Sequence, residues 1–442
     1  MNNESFISTF SKNGIDSLRG QFILHKDTKV EQKNWNHLFV NGWLLETHPS
    51  LNTIRVLFNE VPVGIIVGYP IYERKFLSTD EQIRIVGDNF SKLCFEKLIK
   101  CTLGRYVALL LTDSLEFFYP DAVATLSTVY DIKNQYLASS TILFPVQSRE
   151  LNESLVNTCK LSETIKGSYY PCGLTYFDNL KVLKPNFCIN LRQMSEERFE
   201  FFEIGREIFD FNEVAYCVAN EIQDITGSIL RGLPVEVFLT AGKDSRLLLA
   251  SLREKCKEVI YSTYYENAVT GSHYINFEIA SLIARDLDLN YSSHDLSKKF
   301  QFTTNSNNVV ILGYGGELSR GYLWKKDIIN SPKISIESII RLLGYPNNDI
   351  ICAEIDKWLS FYSSNNTTDI LDFLYVEQYM GHLTSPSLYR YDCVSKFSIA
   401  PLCSWNIVNK FLNLSMEVKS NDKFTRRFLN EFMPSLNSYI FA

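Results

Sequence analysis

The segment Val235-Glu236-Val237-Phe238-Leu239-Thr240-Ala241-Gly242-Lys243-Asp244-Ser245-Arg246 carries the main fold signal of this chain. Residues 235–239 read as a compact strand, because they are mostly β-branched or aromatic. Small and capping residues then interrupt the run, and residues 247–255 read as a helix. Outward from this unit the same grammar recurs. Val214, Val218, Ile222, Ile225 and Ile229 lie at helical spacing before it. After it come a strand at 259–264, a helix at 277–286 and a third strand at 308–312. Strands alternating with helices imply right-handed crossovers and a parallel sheet. From Ile336 onward the pattern is largely helical.

Before about residue 204 the chain reads differently. Runs at 53–58, 63–68, 105–111, 115–119, 180–183 and 187–191 are short strands parted by turn residues, with Thr112-Asp113-Ser114 as a hairpin turn. Helices are expected at 81–100 and around Leu151. The expected architecture is therefore α/β and α+β. A mostly antiparallel, sandwich-like domain spans 1–206, a parallel-sheet domain with a helical end spans 207–442, and the boundary falls near 204–211.

With 45% hydrophobic and 21% charged residues, the 442-residue chain has enough apolar material for two buried cores. A formal charge of -6 argues against nucleic acid as a partner, and Lys298-Lys299, Lys325-Lys326 and Arg426-Arg427 read as solvated faces. No apolar run approaches the ~20 residues needed to cross a bilayer, and the start lacks the pattern of a signal peptide. The ten cysteines include no C-x-x-C pair and the six histidines never fall at ligand spacing. Reduced thiols, a cytoplasmic location and no zinc site are expected.

Residues 239–246 lie where ligands of open α/β sheets bind, at the carboxyl end of a strand. Small residues at 241 and 242 admit phosphate oxygens to backbone N–H groups, and the following helix N-terminus adds a favourable dipole. Thr240 and Ser245 add hydroxyls, whereas Asp244 suits Mg²⁺. A capped tight turn is the competing reading. Gly313-Tyr314-Gly315-Gly316-Glu317 follows the third strand of the same sheet. Two Gly-rich loops, each with one carboxylate, form a clamp for Mg²⁺ and a polyphosphate.

These loops carry a resemblance to a known family. Residues 240–245 resemble the S-G-G-x-D-S pyrophosphate loop of asparagine synthetases and their relatives, and residues 313–317 resemble the second loop, usually G-E-G-x-D. Gly104-Arg105, Asp121-Ala122 and Leu183-Lys184-Pro185-Asn186 are similar to parts of the amino-terminal glutaminase-type domain of that family. Asp422-Lys423-Phe424-Thr425-Arg426-Arg427 and Pro434 are similar to its last helix. The resemblance implies ATP and Mg²⁺ as cofactors, a substrate carboxylate activated as its acyl-adenylate, and attack by an amine. It implies that Thr240, Ala241, Gly242, Lys243, Asp244, Ser245, Tyr261, Gly313 and Gly315 bind the nucleotide. Asp244 and Glu317 would hold the metal, and the strand at 259–264 would flank adenine.

The departures shape the functional expectation. Active glutaminases of this class expose a cysteine after Met removal; here Asn2 stands there and the first cysteine is Cys94, so no glutaminase activity is expected. Tyr314 stands where β-lactam synthetases also have tyrosine, which there works with a glutamate as a proton-accepting dyad. Glu377 is the candidate partner, the alternative being a Tyr314 that packs on substrate and a Glu377 on a helix surface. The family's pyrophosphate-binding lysine follows the proline matched by Pro434, and Ala442 takes its place. Lys423, or else Lys243, would substitute, unless both are surface charges. The expected function is an AMP-forming amide ligase for a small-molecule or peptide substrate that carries its own amine. Lasso-peptide macrolactam closure, β-lactam formation and sugar-acid amidation are the candidate reactions. A catalytically weak, ATP-binding partner subunit of a biosynthetic complex is the alternative, and a homodimer is compatible with either. A tRNA-modifying enzyme of the same loop type is a more remote third.

Overall fold

Backbone pairing divides the strands into three sheets. The structure is a computed structural model that describes residues 16, 18–27, 31–160, 170–199, 202, 209–265, 272–295, 307–329, 334–362 and 365–441. Asn2, Ala442, Lys298-Lys299 and residues 204–208 of the expected boundary lie outside the described residues.

The first sheet contains β1 (Phe22–His25), β2 (Asn36–Val40) and β3 (Trp43–Thr47). The second contains β4 (Asn52–Phe58), β5 (Val61–Tyr72), β6 (Lys75–Phe76), β7 (Gln82–Ile85), β8 (Leu103–Leu111) and β9 (Glu116–Pro120). The chain then returns to the first sheet with β10 (Val129–Asp131), β11 (Tyr136–Ala138) and β12 (Leu180–Val182), and to the second with β13 (Phe187–Asn190) and β14 (Ser195–Arg198). The orders are β12-β10-β11-β1-β3-β2 and β14-β13-β9-β8-β5-β4-β7, with β6 beside β5. All pairs are antiparallel except β4 with β7. The expected hairpin closes where Thr112 N donates to Leu115 O at 2.8 Å.

One expectation fails here. Residues 81–100 do not form a single helix: Gln82–Ile85 is an edge strand, and α1 (Lys92–Cys101) begins only after Ser91 caps it by accepting from Cys94 N. Gln82-Ile83-Arg84-Ile85 alternates polar and apolar, so it buries Ile83 beside β4 and leaves Gln82 and Arg84 in solvent. The helix near Leu151 is α2 (Glu153–Lys160).

The second half opens with α3 (Phe211–Leu230), whose Asp210 cap accepts from Asn212 N. Five strands follow in a wholly parallel sheet: β15 (Val235–Phe238), β16 (Ile260–Tyr265), β17 (Tyr291–Asp295), β18 (Val309–Ile311) and β19 (Phe397–Ile399). Their order, β17-β16-β15-β18-β19, makes β15 central, and all four of its residues are buried. The crossovers carry α4 (Lys243–Ser251) and α5 (Ser272–Asp286). Helix α4 starts earlier than the apolar run indicates, because Gly242 caps it directly after the strand. Helices α6 (Lys326–Ile329), α7 (Ile336–Leu343), α8 (Asp349–Ser360) and α9 (Thr367–Leu374) precede β19, as does α10 (Gly381–Asp392). Helices α11 (Trp405–Leu412), α12 (Met416–Lys419) and α13 (Lys423–Phe432) follow it. The molecule is thus mixed α/β, with antiparallel-rich sheets first and a parallel sheet second. No helix of the described residues is long and apolar enough to cross a membrane.

Helix α9 passes into α10 through a π-helical turn, Tyr375–Met380, with helical dihedrals at both junctions. This long element lies where the two halves meet. Gln378 Oε1 accepts from Cys172 N at 2.6 Å, and Ser385 Oγ accepts from Ser127 N at 3.1 Å. At its end Asp392 pairs with Arg105 at 2.5 Å, both side chains buried, while Tyr69 stacks on Phe397 with centroids 4.1 Å apart. One apolar cluster runs through both halves, from Phe22 to Leu436.

His382 lies in this junction, and burial together with nearby Lys184 holds its imidazole down at about 4. A histidine kept neutral in the fold contributes stability that is full above its unfolded value and is lost as pH falls through its folded value. Between pH 6.5 and 4, His382 should therefore destabilise the protein by up to about 3 kcal/mol. Denaturant titrations across that range should show a shallower acid loss for His382→Gln than for wild type; identical profiles would assign the acid sensitivity elsewhere.

Candidate functional site

Strands β15 and β18 run side by side, Val235 opposite Val309 and Val237 opposite Ile311, so the loops after them emerge together. In the first loop the two hydroxyls brace the backbone. Ser245 Oγ accepts from Thr240 N at 3.1 Å, lies 3.0 Å from Thr240 Oγ1, and donates toward the Thr240 and Gly242 carbonyls. Gly242 N donates to Thr240 Oγ1 at 3.0 Å. A Cβ on Gly242 would meet that same oxygen at 2.9 Å, so a side chain here would push the Thr240 hydroxyl out of place. Gly242 offers α4 no side-chain cap, which leaves the first helical turn open to an anion.

The second loop lies directly on the first. A Cβ on Gly313 would come within 3.0 Å of the Asp244 carbonyl carbon and of Ser245 N, and one on Gly316 would overlap the Asp244 carboxylate. Gly315 turns the chain with φ 101°, a conformation that glycine adopts without strain. This contact brings together the two carboxylates assigned to a metal. Burial and the adjacent Glu317 carboxylate push the Asp244 carboxyl up to about 7, against the pull of Arg320. Glu317 Oε2 accepts from the Tyr375 hydroxyl at 3.0 Å. Among the described residues no three metal-ligating side chains cluster, so the site offers this carboxylate pair and no closed cage. Two hard oxygen donors with an open remainder suit Mg²⁺, which keeps waters and takes phosphate oxygens as further ligands. The pair fits that ion.

Three residues that the sequence does not assign to the site complete its surroundings. Arg320 holds Asp244 with both ends of its fork, Nη1 to Oδ1 at 2.5 Å and Nη2 to Oδ2 at 3.3 Å. Asp422 receives Lys243 Nζ at 2.6 Å and stands 3.9 Å from Arg320 Nε. Tyr375 forms an aromatic group with Tyr322 and Tyr379, centroids 5.4 to 5.6 Å apart.

Several residues sit elsewhere than the sequence reading placed them. Glu377 is fully buried, and its oxygens accept from Trp358 Nε1 at 2.7 Å, Tyr362 Oη at 2.5 Å and Asn186 Nδ2 at 2.9 Å, with Arg198 at 3.5 Å. It is neither a surface charge nor a partner of Tyr314; its donors make it a joint between the halves. Tyr314 is half-buried between the two loop glycines, and its carbonyl accepts from Cys403 Sγ at 3.4 Å. Helix α13 does pack against α4 and the second loop, but Lys423 is 47% exposed and reaches Glu417 at 3.3 Å, away from the carboxylate pair. Tyr261 is wholly buried in the core, so its ring is not presented to a ligand. Burial pushes its phenol well up.

Arg246, next in the first loop, is also buried. It donates to the carbonyls of Ala241 at 3.0 Å, Leu436 at 3.1 Å, Tyr439 at 2.9 Å and Ile440, while Phe441 covers its guanidinium at 4.2 Å. The segment after α13 is thereby tied to the first loop. Compared with models of known protein families and with curated proteins, the sequence matches none.

The loop contact makes Gly316→Ala a sharp probe. The added methyl must push Asp244 aside, at a cost of about 1–3 kcal/mol for overpacking. Chemical denaturation should register that loss, and a variant as stable as wild type would show that the two loops have room to separate.

Proposed function

We propose that the chain is an ATP-dependent, AMP-forming amide ligase that activates a substrate carboxylate and joins it to an amine carried by the substrate itself. The observation that carries this reading is the convergence of Asp244 and Glu317, on loops leaving adjacent parallel strands, beside an open helix N-terminus. In this reading residues 207–442 form the ATP-binding domain and residues 1–206 a glutaminase-like domain without the nucleophile. The pair Asp244 and Glu317 would hold Mg²⁺, which neutralises phosphate charge. The first turn of α4 binds the phosphates through backbone N–H groups, and the braced Thr240–Ser245 hydroxyls keep that turn in shape. Holding carboxylate and amine in one cleft makes their reaction effectively unimolecular. Tyr314, Tyr322 and Tyr379, with the buried Tyr375 behind the last two, would supply the apolar surface against which a substrate lies. Macrolactam closure of a peptide and β-lactam formation meet this description, and amidation of a sugar acid would use the same activation with free ammonia as the amine.

A second reading has its own support. Lys423 faces Glu417, Lys243 faces Asp422, and Glu377 does not reach Tyr314. An ATP-binding subunit of a biosynthetic complex, itself catalytically weak, would need none of these side chains for chemistry.

Thermal unfolding with and without ATP·Mg²⁺ tests the common core of both. At a hundredfold excess over Kd, binding should stabilise wild type by about 2.7 kcal/mol. Asp244→Asn should lose most of that gain, because only a metal ion makes a carboxylate favourable next to phosphate. Equal stabilisation of the two proteins would remove Asp244 from the site. AMP and pyrophosphate release with a carboxylate substrate would favour the ligase, and stabilisation without release would favour the partner subunit.

A further inference from the structure

We propose that Arg320 is the cation that receives the departing pyrophosphate, and that its pairing with Asp244 is a resting position released when a divalent ion takes that carboxylate. The inference rests on the ATP-dependent reading above. Its first support is shape. A guanidinium presents a planar fork that fits carboxylate and phosphate equally well, and here the fork is engaged two-pronged with Asp244. A metal ion on Asp244 competes with the guanidinium for the same two oxygens, so loading the metal weakens the hold on Arg320. Its second support is position. Arg320 ends the short turn Gly316–Arg320, which also carries Glu317 and is flanked by left-handed Gly315 and Gly321. Wherever the metal sits between Asp244 and Glu317, a released Arg320 stays beside it.

The third support is what surrounds it. Lys243 is committed to Asp422 at 2.6 Å, and Lys423 lies on Glu417 at 3.3 Å. Arg246 is occupied by backbone carbonyls and covered by Phe441. Among the described residues Arg320 is the cation paired with Asp244, and it has a second acceptor nearby. Asp422 Oδ1 stands 3.9 Å from its Nε, beyond hydrogen-bond length but within ion-pair range. Asp422 is itself held in the left-handed region, φ 58°, directly after Asn421 at φ 54°. The freed guanidinium can therefore keep Nε toward Asp422 while both Nη groups turn to phosphate oxygens.

The chemistry balances without a proton. A substrate carboxylate oxygen forms a bond to the α-phosphorus, and the bond from that phosphorus to the bridging oxygen breaks. The electron pair leaves on pyrophosphate, where negative charge grows. Arg320 donates hydrogen bonds to that growing charge and stays protonated.

The two roles give opposite signs to one substitution, which a merely structural residue would not do. Calorimetric titration of wild type, Arg320→Gln, Arg320→Lys and Lys243→Met with Mg²⁺ alone, and then with inorganic pyrophosphate in excess Mg²⁺, reads both. Arg320→Gln should bind Mg²⁺ alone roughly tenfold tighter, having lost the competing cation, and Mg²⁺-pyrophosphate roughly tenfold weaker. Arg320→Lys keeps the charge without the fork and should recover part of the pyrophosphate affinity; it also serves if the glutamine variant does not fold. Pyrophosphate exchange into ATP should fall about 10²–10³-fold in Arg320→Gln. With wild type binding normally, affinities that stay unchanged or move in the same direction would overturn the role of Arg320. The same opposed pattern in Lys243→Met would transfer the role to that lysine. Wild type that binds no Mg²⁺-pyrophosphate would overturn the ATP-dependent reading, and the proposal with it.

Discussion

The absence of two β-carbons governs this site. Gly313 and Gly316 let one loop lie on the backbone and carboxylate of Asp244 in the other; a β-carbon at Gly313 would press on the Asp244–Ser245 backbone, and one at Gly316 would displace the carboxylate. Everything chemical here follows from that contact. It sets Glu317 beside Asp244, it draws Arg320 into the gap, and it fixes the side of the sheet on which a ligand would meet both. The parallel pairing of β15 with β18 supplies the alignment, and the glycines supply the closeness.

The charges that result are close to balanced but not relaxed. Burial and the neighbouring Glu317 charge both act against an ionised Asp244, so Asp244 holds a proton far more readily than a free aspartate. One guanidinium moderates this, and the next acidic group, Asp422, ties Arg320 to Lys243. An arrangement of alternating signs that is short of one positive charge is the environment a divalent ion completes.

Much of this could be read from residue order, for definite reasons. The strand-turn-helix at 235–251 and the Gly-rich stretch after β18 are local patterns, and the β15–β18 pairing that joins them obeys the general preference for parallel βαβ units. What escaped was set by distant partners. Strand β17 reads Tyr-Ser-Ser-His-Asp, without apolar alternation, and β19 has three residues; both exist because a neighbouring strand templates them. Glu377 looks like a helix-surface charge until Asn186, Arg198, Trp358 and Tyr362 arrive from elsewhere in the chain to bury it. The segment 81–100 mixes an alternating edge strand with a true helix, and only the Gly87-Asp88 break between them hints at it. Arg320 left a fainter trace, a charge three residues after Glu317 and so on the same face of one tight turn.

The π-helical turn between α9 and α10 has a bearing on how this chain can vary. It is a stretch of helix with more residues to the turn than its flanks. On one side of it Tyr375 is in phase with Glu317 of the loop; on the other, Ser385 and Asp392 are in phase with Ser127 and Arg105 of the opposite half. Because a wide turn holds its extra residue over nearly the same rotation, losing one residue from Tyr375–Met380 would let the helix close to ordinary pitch with both flanks still facing their partners. The same loss inside α9 or α10 would rotate everything beyond by about 100°. The wide turn is thus a slack place in the count of residues, while its side chains are not slack, since Glu377 and Gln378 are buried against the first half.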